Sequence, residues 1–449
     1  MPEDADLIVI GSGQGGSPLA LAFASENKRV VLFESGRLGG SCVNYGCTPS
    51  KAYLAAAHNA GRARAAGPLG VHADVRVDGR AVMERVRDVR DQWHDSSEKK
   101  FADSRVDLIH ATANFAGVRT VAGGGREVRA PLVVIDTGTS LACPPIEGLA
   151  DTPYFTNLTW FDQITLPRRL AVIGGGYIGL ELGQGAQRLG SAVTICTSGE
   201  KLMPSEDADA VEIVRKAMEG DGVAFQLDCE TTSVQHDGSS FHLTFDNGTS
   251  LEADAVLVAA GRKPNTGDLH ADRSGVRLDE AGFVAVDDFL QTACPGVYAL
   301  GDVARQPAFT HVSWEDYRRL RSTLSGTPRK RDDRVLSYAT FTEPQLARTG
   351  LSEREAKAGG RDVRVQTLPL EDVARGEEWN LTDGFYRLIV DTHSDAILGA
   401  TLVGYEAGEI VHTLAFAIHL GATRRQLDEF MAIHPTFSEG LPSLARAFE

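Results

Sequence analysis

The feature that most constrains the fold is a strand, glycine loop, helix and strand unit that occurs twice in the sequence. The first copy reads DLIVIGSG, PLALAFASENK and RVVLFES, and the second reads RLAVIGGG, YIGLELGQGAQRLG and SAVTICTSG. Apolar runs of this length, each followed by a glycine turn and a helical pattern, indicate parallel strands with helices on the faces of a sheet. The two copies lie about 160 residues apart, so the sequence predicts an α/β fold with two Rossmann-like nucleotide-binding domains.

The rest of the chain divides around these two units. A proline-rich exit follows the strand and turn in APLVVIDTGTSLACPPIEGL, and a similar strand and turn closes the second unit in ADAVLVAAGRKPN. The segment GVYALGDV then completes the first domain, and the remaining chain mixes strands with the helix GEIVHTLAFAIHLG. We therefore expect a discontinuous first domain at residues 1–146 and 265–325, a second at 147–264, and a C-terminal α+β domain at 326–449.

The first glycine loop has the residues that a dinucleotide site needs. Gly11 allows the tight turn, Gly13 lets a pyrophosphate approach the backbone, and Gly16 lets helix and strand pack closely. The helix N-terminus then offers free N–H groups and a positive dipole end to phosphates. Glu34 ends the next strand, where a carboxylate can accept hydrogen bonds from an adenosine ribose. This order predicts a dinucleotide site rather than an incidental turn.

The second glycine loop repeats this pattern with one difference. Gly174, Gly176 and Gly179 occupy the three glycine positions, but Thr197 and Ser198 stand where the first copy has its acid. A carboxylate there would repel a 2′-phosphate, and its absence removes discrimination against NADPH. No arginine is placed to clamp that phosphate, so the choice between NADH and NADPH stays open.

Composition excludes several functional classes. The chain has 61 acidic and 45 basic residues, a net charge of −16 that argues against a nucleic-acid surface. No apolar run is long enough to span a bilayer, and the acidic N-terminus does not resemble a signal peptide. Six cysteines among 449 residues are too few for a secreted disulfide scaffold. We therefore expect a cytoplasmic protein with neither membrane nor nucleic-acid partners.

Two of the cysteines lie close together in GGSCVNYGCTPSK, at Cys42 and Cys47. A structural zinc site needs about four ligands and usually a second close pair. The other cysteines are scattered singly in apolar or strand-like settings, which favours small buried hydrophobes over ligands: Cys143, Cys196, Cys229 and Cys294. A structural disulfide closing so short a loop would stabilise little and would be at risk in a reducing cytosol. A redox-active disulfide without a metal is the favoured interpretation.

Two dinucleotide sites and one redox pair indicate a path for electrons. A nicotinamide delivers two electrons as hydride, a flavin accepts them, and a dithiol/disulfide couple exchanges them in pairs.

Several motifs then identify a family. GGSCVNYGCTPSK resembles the disulfide signature of the flavin-dependent pyridine nucleotide-disulfide oxidoreductases, which include glutathione reductase, dihydrolipoamide dehydrogenase and mercuric reductase. The resemblance extends over essentially the whole chain, in the family's order, through IDTG, GGGYIGLELG, LVAAGRKPN, GVYALGDV, FTEPQLARTGLSE and IHPTFSEGL. It implies an FAD domain for the first expected unit, an NAD(P) domain for the second and a dimerisation domain at the C-terminus.

The resemblance also implies roles for individual residues. Cys42 would be the interchange thiol that attacks the substrate, and Cys47 the thiol next to the flavin. Lys51 and Glu181 match the family's ion pair beside the flavin N5 edge, and Asp302 matches the acid that holds the ribityl chain. The expected FAD-binding residues are Gly11, Gly13, Gly16, Glu34, Gly40, Ser41, Lys51, Thr137, Gly138 and Asp302. The expected NAD(P)-binding residues are Gly174, Gly176, Tyr177, Gly179, Glu181, Thr197, Ser198, Gly261 and Arg262.

One histidine stands apart from the rest. His434 precedes a proline in IHPTFSEGL, outside regular helix, and Glu439 follows five positions later. An imidazole oriented by a carboxylate can carry protons near neutral pH, which thiol-disulfide exchange requires. In the resembling family this dyad comes from the other subunit, so the resemblance implies a homodimer in which His434 completes the partner's site.

The motifs do not fix the substrate. Mercuric reductases carry a C-terminal cysteine pair, whereas this sequence has no cysteine after Cys294, and glutathione reductases place an arginine where Leu21 stands. Dihydrolipoamide dehydrogenase fits the dyad, although its usual acid for NAD is replaced here by Thr197 and Ser198. We expect a small disulfide substrate, with a mercuric-reductase-like enzyme or a flavin NAD(P)H oxidase or transhydrogenase as alternatives.

Overall fold

The computed structural model describes residues 1–448. The strands, in chain order, are β1 Glu3–Asp4, β2 Leu7–Ile10, β3 Val30–Glu34, β4 Asp107–His110, β5 Asn114–Gly117, β6 Thr120–Gly123, β7 Arg126–Arg129, β8 Leu132–Ile135, β9 Thr139–Leu141, β10 Arg169–Ile173, β11 Ala192–Cys196, β12 Ala224–Gln226, β13 Thr231–His236, β14 Phe241–Phe245, β15 Ser250–Ala253, β16 Ala255–Val258, β17 Arg262–Pro264, β18 Val297–Ala299, β19 Ser337–Thr340, β20 Gln345–Gly350, β21 Val363–Pro369, β22 Phe385–Asp391 and β23 Ile397–Gly404. The α-helices are α1 Gly16–Ser25, α2 Gly40–Asn44, α3 Cys47–Ala65, α4 Gly79–Ala102, α5 Tyr177–Arg188, α6 Ala208–Gly220, α7 Thr310–Leu324, α8 Glu353–Ala358, α9 Ala374–Trp379, α10 Ala407–His419, α11 Arg424–Asp428 and α12 Gly440–Arg446.

The first glycine loop belongs to a five-stranded parallel sheet in the order β18, β8, β2, β3, β4. Strand β2 lies at its centre and is buried at all four residues, which explains its continuous apolar run. Strand β18 comes from far along the chain and pairs with β8 at the edge. The chain therefore leaves this sheet after β8 and returns to complete it with β18.

The second glycine loop belongs to a four-stranded parallel sheet in the order β12, β11, β10, β16. A three-stranded antiparallel sheet of β13, β14 and β15 packs beside it and shares its apolar core. Helix α5 begins directly after the glycine loop and buries most of its length. Both copies of the repeated unit thus form the parallel arrangement that the sequence predicts.

The C-terminal part forms a five-stranded antiparallel sheet in the order β19, β20, β23, β22, β21. Strand β23 is buried at seven of its eight residues, and helices α10 and α12 contribute to the same core. The expected α+β module is therefore confirmed as a fold class. Helix α4, in the connection between β3 and β4, exposes most of its charged residues, as predicted, and buries Met83, Val86, Arg90 and Phe101.

The single cysteines follow the prediction with one exception. Cys196, Cys229 and Cys294 are buried in apolar surroundings. The expectation is wrong for Cys143, which is exposed in the connection after β9, where its sulfur accepts a 3.4 Å hydrogen bond from the Tyr154 hydroxyl. Within residues 1–448, no helix combines the length and apolar character that a bilayer span requires.

Candidate functional site

A cavity of about 1440 Å³ runs from the first glycine loop to the cysteine pair. Its walls come from the first parallel sheet, from the β9–β17 pair, from strand β19, and from helices α2, α3, α5, α7 and α10. Fourteen of the expected site residues line it: Gly11, Gly13, Glu34, Gly40, Ser41, Cys42, Cys47, Lys51, Thr137, Gly138, Tyr177, Glu181, Arg262 and Asp302. The remaining ones lie outside its lining: Gly16, Gly174, Gly176, Gly179, Thr197, Ser198, Gly261, His434 and Glu439. The fold therefore brings the expected flavin and thiol residues to one place.

The glycine loop at one end of the cavity is shaped by close backbone approach. Gly11 has φ +98°, and a Cβ atom there would lie 2.4 Å from the Asp136 carbonyl oxygen. A Cβ on Gly40 would lie 2.9 Å from the Gly13 Cα, so the chain segments touch without side chains between them. These contacts bring the backbone of Gly11 and Gly13 to the cavity wall, where the close approach of a dinucleotide phosphate requires glycine.

Glu34 lies at the carboxyl end of β3, where the sequence places a ribose acceptor. Its carboxylate accepts hydrogen bonds from the Ser12 amide at 2.8 Å, the Ser12 hydroxyl at 2.6 Å and the Gly36 amide at 2.7 Å. These bonds hold the carboxylate at the cavity wall. The Thr137 hydroxyl, also in the wall, is buried without a hydrogen-bond partner. A groove with a glycine cradle, an acid and an unsatisfied hydroxyl fits the polar groups of FAD.

The two thiols lie at the other end of the cavity. Cys42 is in the short helix α2, and Cys47 is the first residue of the nineteen-residue helix α3. Both are free thiols in this structure. The Cys47 sulfur lies 3.1 Å from the Thr310 hydroxyl, at the start of α7. A thiol at a helix N-terminus is stabilised as its thiolate, because the helix dipole is positive there.

The two thiols differ in how readily they lose a proton. A hydrogen bond from Cys42, followed by the Thr310 hydroxyl and the Lys51 charge, lowers the pKa of Cys47 to about 6. The same Cys47 contact and burial raise the pKa of Cys42 above its usual value. These contacts therefore favour the thiolate at Cys47 and the neutral thiol at Cys42.

An ion pair lies beside the thiols. The Lys51 ammonium, one turn along α3, contacts the Glu181 carboxylate of α5 at 2.7 Å. The second Glu181 oxygen accepts a 2.9 Å hydrogen bond from the Phe341 amide, and the Lys51 ammonium lies 4.5 Å from the Phe341 ring centre. Glu181 is buried, whereas Lys51 is partly exposed to the cavity. This arrangement fixes a positive charge at the cavity wall next to the cysteine helix.

Asp302 belongs to a hydrogen-bonded group that spans two parts of the chain. Its carboxylate accepts a 2.8 Å hydrogen bond from the Thr139 hydroxyl. The Arg262 guanidinium donates to that hydroxyl at 2.6 Å and lies 3.4 Å from Asp302. Arg262, which is predicted to bind the nicotinamide nucleotide, thus contacts Thr139 and Asp302 at the cavity wall. Strand β17, which contains Arg262, pairs with β9 beside it.

The second glycine loop has the backbone form of the first. Gly174 has φ +125°, and its amide donates to the Cys196 carbonyl oxygen at 2.9 Å. Thr197 follows directly and lies against Gly175, where a Cβ would be 3.3 Å from the Thr197 methyl group. Gly176, by contrast, faces open space. Tyr177 connects this loop with the cavity, since it begins α5 and packs at 6.0 Å against the Phe309 ring.

The histidine dyad forms, but it lies away from the cavity of its own chain. The His434 Nδ1 atom is 2.7 Å from the Glu439 carboxylate. The His434 side chain is 73% exposed, and neighbouring Met431 and Ile433 are also strongly exposed. The dyad therefore lies beside exposed apolar side chains on the surface of its own chain.

Two residues at the site were missed by the sequence analysis. Asp136 lies under the first glycine loop, where its carboxylate accepts a 2.6 Å hydrogen bond from the Gly16 amide. Thr310 contacts the Cys47 sulfur. The acid in the IDTG motif could have indicated Asp136 as a site residue. Nothing in the sequence indicates that Thr310 contacts Cys47, because the two residues are far apart in the chain. Within residues 1–448, no group of three or more His, Cys, Asp or Glu side chains is arranged to hold a metal.

Comparison with known proteins places this fold and site in one class. Residues 5–316 match the family model described as pyridine nucleotide-disulphide oxidoreductase, and residues 336–445 match the dimerisation domain of the same family. The chain belongs to this family, and it is an FAD-dependent enzyme that uses NAD(P)H, as the motifs predict.

Individual relatives carry different names. Mercuric reductase from Staphylococcus aureus is 33% identical over 99% of this chain and 83% of its own length. Dihydrolipoyl dehydrogenase from Haloferax volcanii is 33% identical over 98% of this chain and 95% of its own length. The solved structure of the HOCl-induced flavoprotein disulfide reductase RclA from Escherichia coli has a TM-score of 0.90, 29% identity, and coverage of 99% of this chain and 100% of its own. The family is therefore settled, and its members differ in substrate.

Proposed function

We propose that this protein reduces a small disulfide with electrons from NADH or NADPH, through FAD and the Cys42–Cys47 pair. The observation that carries the proposal is the position of the two thiols at one end of a cavity whose other end is a dinucleotide-binding loop. When bound, FAD supplies two-electron transfer between the nicotinamide and the pair. The residues of the chain bind it, hold the thiolate and exchange disulfides.

The thiol step balances within the pair. The Cys42 sulfur attacks one sulfur of the substrate, the substrate disulfide breaks, and the first product leaves as a thiol. The Cys47 thiolate then attacks the Cys42 sulfur, which forms the Cys42–Cys47 disulfide and releases the second product as a thiolate that takes its proton from solvent. Since the pKa of Cys42 is raised by Cys47 and by burial, this attack needs a base to remove its proton.

His434 is our candidate for that base, and we propose that it acts across a homodimer. It does not line the cavity of its own chain, it is exposed, and it lies within the part that matches the dimerisation domain. Glu439 would orient the imidazole and stabilise its charged form. We further propose a cytoplasmic location, where a reducing environment suits such a pair, and domain limits close to 146, 264 and 325.

A substrate screen with the purified holoenzyme tests the thiol role. Cys42→Ser and Cys47→Ser should each lower disulfide reduction about a thousand-fold, while reduction of an artificial acceptor continues. Cys143→Ser removes an exposed thiol outside the cavity and should leave both activities unchanged. Disulfide turnover that survives both active-pair substitutions would instead favour a flavin oxidase or transhydrogenase. Rapid turnover of Hg(II) with no disulfide accepted would favour the mercuric reductase alternative.

Mixed dimers test the position of His434. His434→Gln and Cys42→Ser homodimers should both be inactive on disulfides. If His434 acts on the partner, a purified heterodimer of the two variants contains one intact site and recovers about half of the wild-type activity. If His434 acts within its own chain, the heterodimer stays inactive.

A further inference from the structure

The carboxyl group of Asp136 lies beneath the first glycine loop. It follows β8 directly, and the residue is only 7% exposed. Its Oδ2 atom accepts a hydrogen bond from the Gly16 amide at 2.6 Å, and a Cβ on Gly13 would lie 2.6 Å from the same atom. An acidic side chain therefore contacts the backbone of the loop that is expected to bind the FAD diphosphate.

No cation balances this acid. Within residues 1–448, Asp136 makes no ion pair with lysine or arginine. The charged groups around it are Asp302 after β18 and Asp316 of α7. Each of these two acids has its own arginine: Arg262 lies 3.4 Å from Asp302, and Arg334 pairs with Asp316 at 2.6 Å. An ionised Asp136 would thus add to a negative field next to two phosphates.

The second glycine loop provides an internal comparison. A Cβ on Gly11 would meet the Asp136 carbonyl oxygen at 2.4 Å, and a Cβ on Gly174 would meet the Ala259 carbonyl oxygen at 2.6 Å. Ala259 is therefore the counterpart of Asp136. Since the second loop closes in the same form over an alanine, the loop fold itself does not require a carboxyl group.

We infer that Asp136 stays a neutral acid when FAD is bound, so that FAD binding is linked to protonation of this one side chain. Above the pH at which free Asp136 ionises, binding takes up one proton from solution. Burial, together with the charges of Asp302 and Asp316, raises the pKa of Asp136 to about 8, against the opposing effect of the Gly16 and Gly15 amides. This inference rests on the proposed position of the FAD diphosphate at the first glycine loop.

The test measures the FAD dissociation constant of the apoprotein by flavin fluorescence at pH 7 and pH 9. For a group that ionises near pH 8 and must be neutral in the complex, wild-type affinity should fall about ten-fold over this range. Asp136→Asn should bind FAD with nearly equal affinity at both pH values. Asp74→Asn, an exposed matched control, should keep the wild-type fall. Equal wild-type affinity at both pH values, or a wild-type fall in Asp136→Asn, would overturn the inference.

Two further measurements separate the possible failures. Should Asp136→Asn not fold, calorimetry of wild-type apoprotein in two buffers of different ionisation enthalpy should detect uptake of about one proton per FAD at pH 9. Uptake near zero contradicts the inference. Gly13→Val should abolish FAD binding, and if it binds FAD normally while its melting temperature is retained, the proposed position of the diphosphate fails along with the inference.

Discussion

The two glycine loops share one backbone and differ in charge. In both, the first glycine amide bonds to the last apolar residue of the neighbouring strand, from Gly11 to Phe33 at 2.8 Å and from Gly174 to Cys196 at 2.9 Å. Glycine with positive φ is needed at each because a side chain would collide with the next strand end. The common backbone explains why one sequence pattern appears twice.

The difference lies at the two strand ends that flank each loop. Glu34 and Asp136 flank the first, whereas Thr197 and Ala259 flank the second. The glycine positions therefore determine that a dinucleotide can bind, and the residues after the strands determine the charge that it meets. Substitutions at these strand ends should therefore change the charge near each loop without changing the loop backbone.

The largest expected effect comes from closing each loop with a side chain. Gly176 faces open space, so Gly176→Val should fold, keep FAD and lower kcat/KM for the nicotinamide substrate by at least about a hundred-fold. Gly13→Val should instead yield protein without FAD. The flavin absorbance of the purified variants and steady-state kinetics measure both. Loss of FAD from Gly176→Val would show that the two loops are not independent.

The second-largest effect is expected when the second loop is given the acidic residue of the first. Thr197→Glu gives the second loop the acid of the first, and a carboxylate there accepts hydrogen bonds from a ribose but repels a 2′-phosphate. The ratio of kcat/KM for NADH to that for NADPH should rise about thirty-fold, since such charge contacts contribute roughly 2 kcal/mol. Thr197→Gln, which is similar in size but uncharged, should change the ratio far less. Equal ratios in both variants would mean that size, and not charge, acts at this position.

A smaller effect is expected from the reverse change. Glu34→Gln keeps the side-chain shape but removes the charge that accepts bonds from Ser12 and Gly36. FAD affinity should fall about ten-fold, measured by fluorescence titration, because a charged acceptor contributes more than a neutral one. Ser35→Ala, at the exposed next position, serves as control. Unchanged affinity in Glu34→Gln would remove Glu34 from the binding residues.

The smallest effect is expected at the Cys42–Cys47 pair, which has no counterpart at the second glycine loop. Thr310→Ala should raise the pKa of Cys47 above about 6, because the hydroxyl hydrogen bond favours the thiolate. The thiolate then forms at higher pH, and its alkylation rate at pH 6.5 should fall about two-fold. Thr310→Ser retains the hydroxyl and should retain the wild-type profile. Identical pH profiles in Thr310→Ala and wild type would contradict this role.

The sequence predicted the local parts of this molecule well. The buried strands and glycine turns are encoded in consecutive residues, so β2, β3, β10 and β11 and the helices after their loops could be predicted from pattern alone. Position in the family's motifs also predicted the Lys51–Glu181 contact, which joins residues of two different units. Cys143 was wrongly expected to be buried, because a strand-like sequence does not show that a connection runs over the surface.

Contacts between distant segments were the part that pattern could not supply. Thr310 reaches Cys47 only because α7 packs against the cavity, and Asp136 lies under Gly16 only because β8 is adjacent to β2. Likewise, the bond from Arg262 to Thr139 depends on the pairing of β17 with β9. Each of these contacts is determined by tertiary packing and has no signature in the neighbouring residues.

The late return of β18 to the first sheet has a consequence for synthesis. Until Val297–Ala299 emerge from the ribosome, β8 is an edge strand whose backbone groups have no neighbour on one side. At ordinary elongation rates of about 5–20 residues per second, this edge stays open for roughly ten to thirty seconds. The nascent chain therefore passes through an interval in which one apolar strand edge is open to association, until β18 pairs with it.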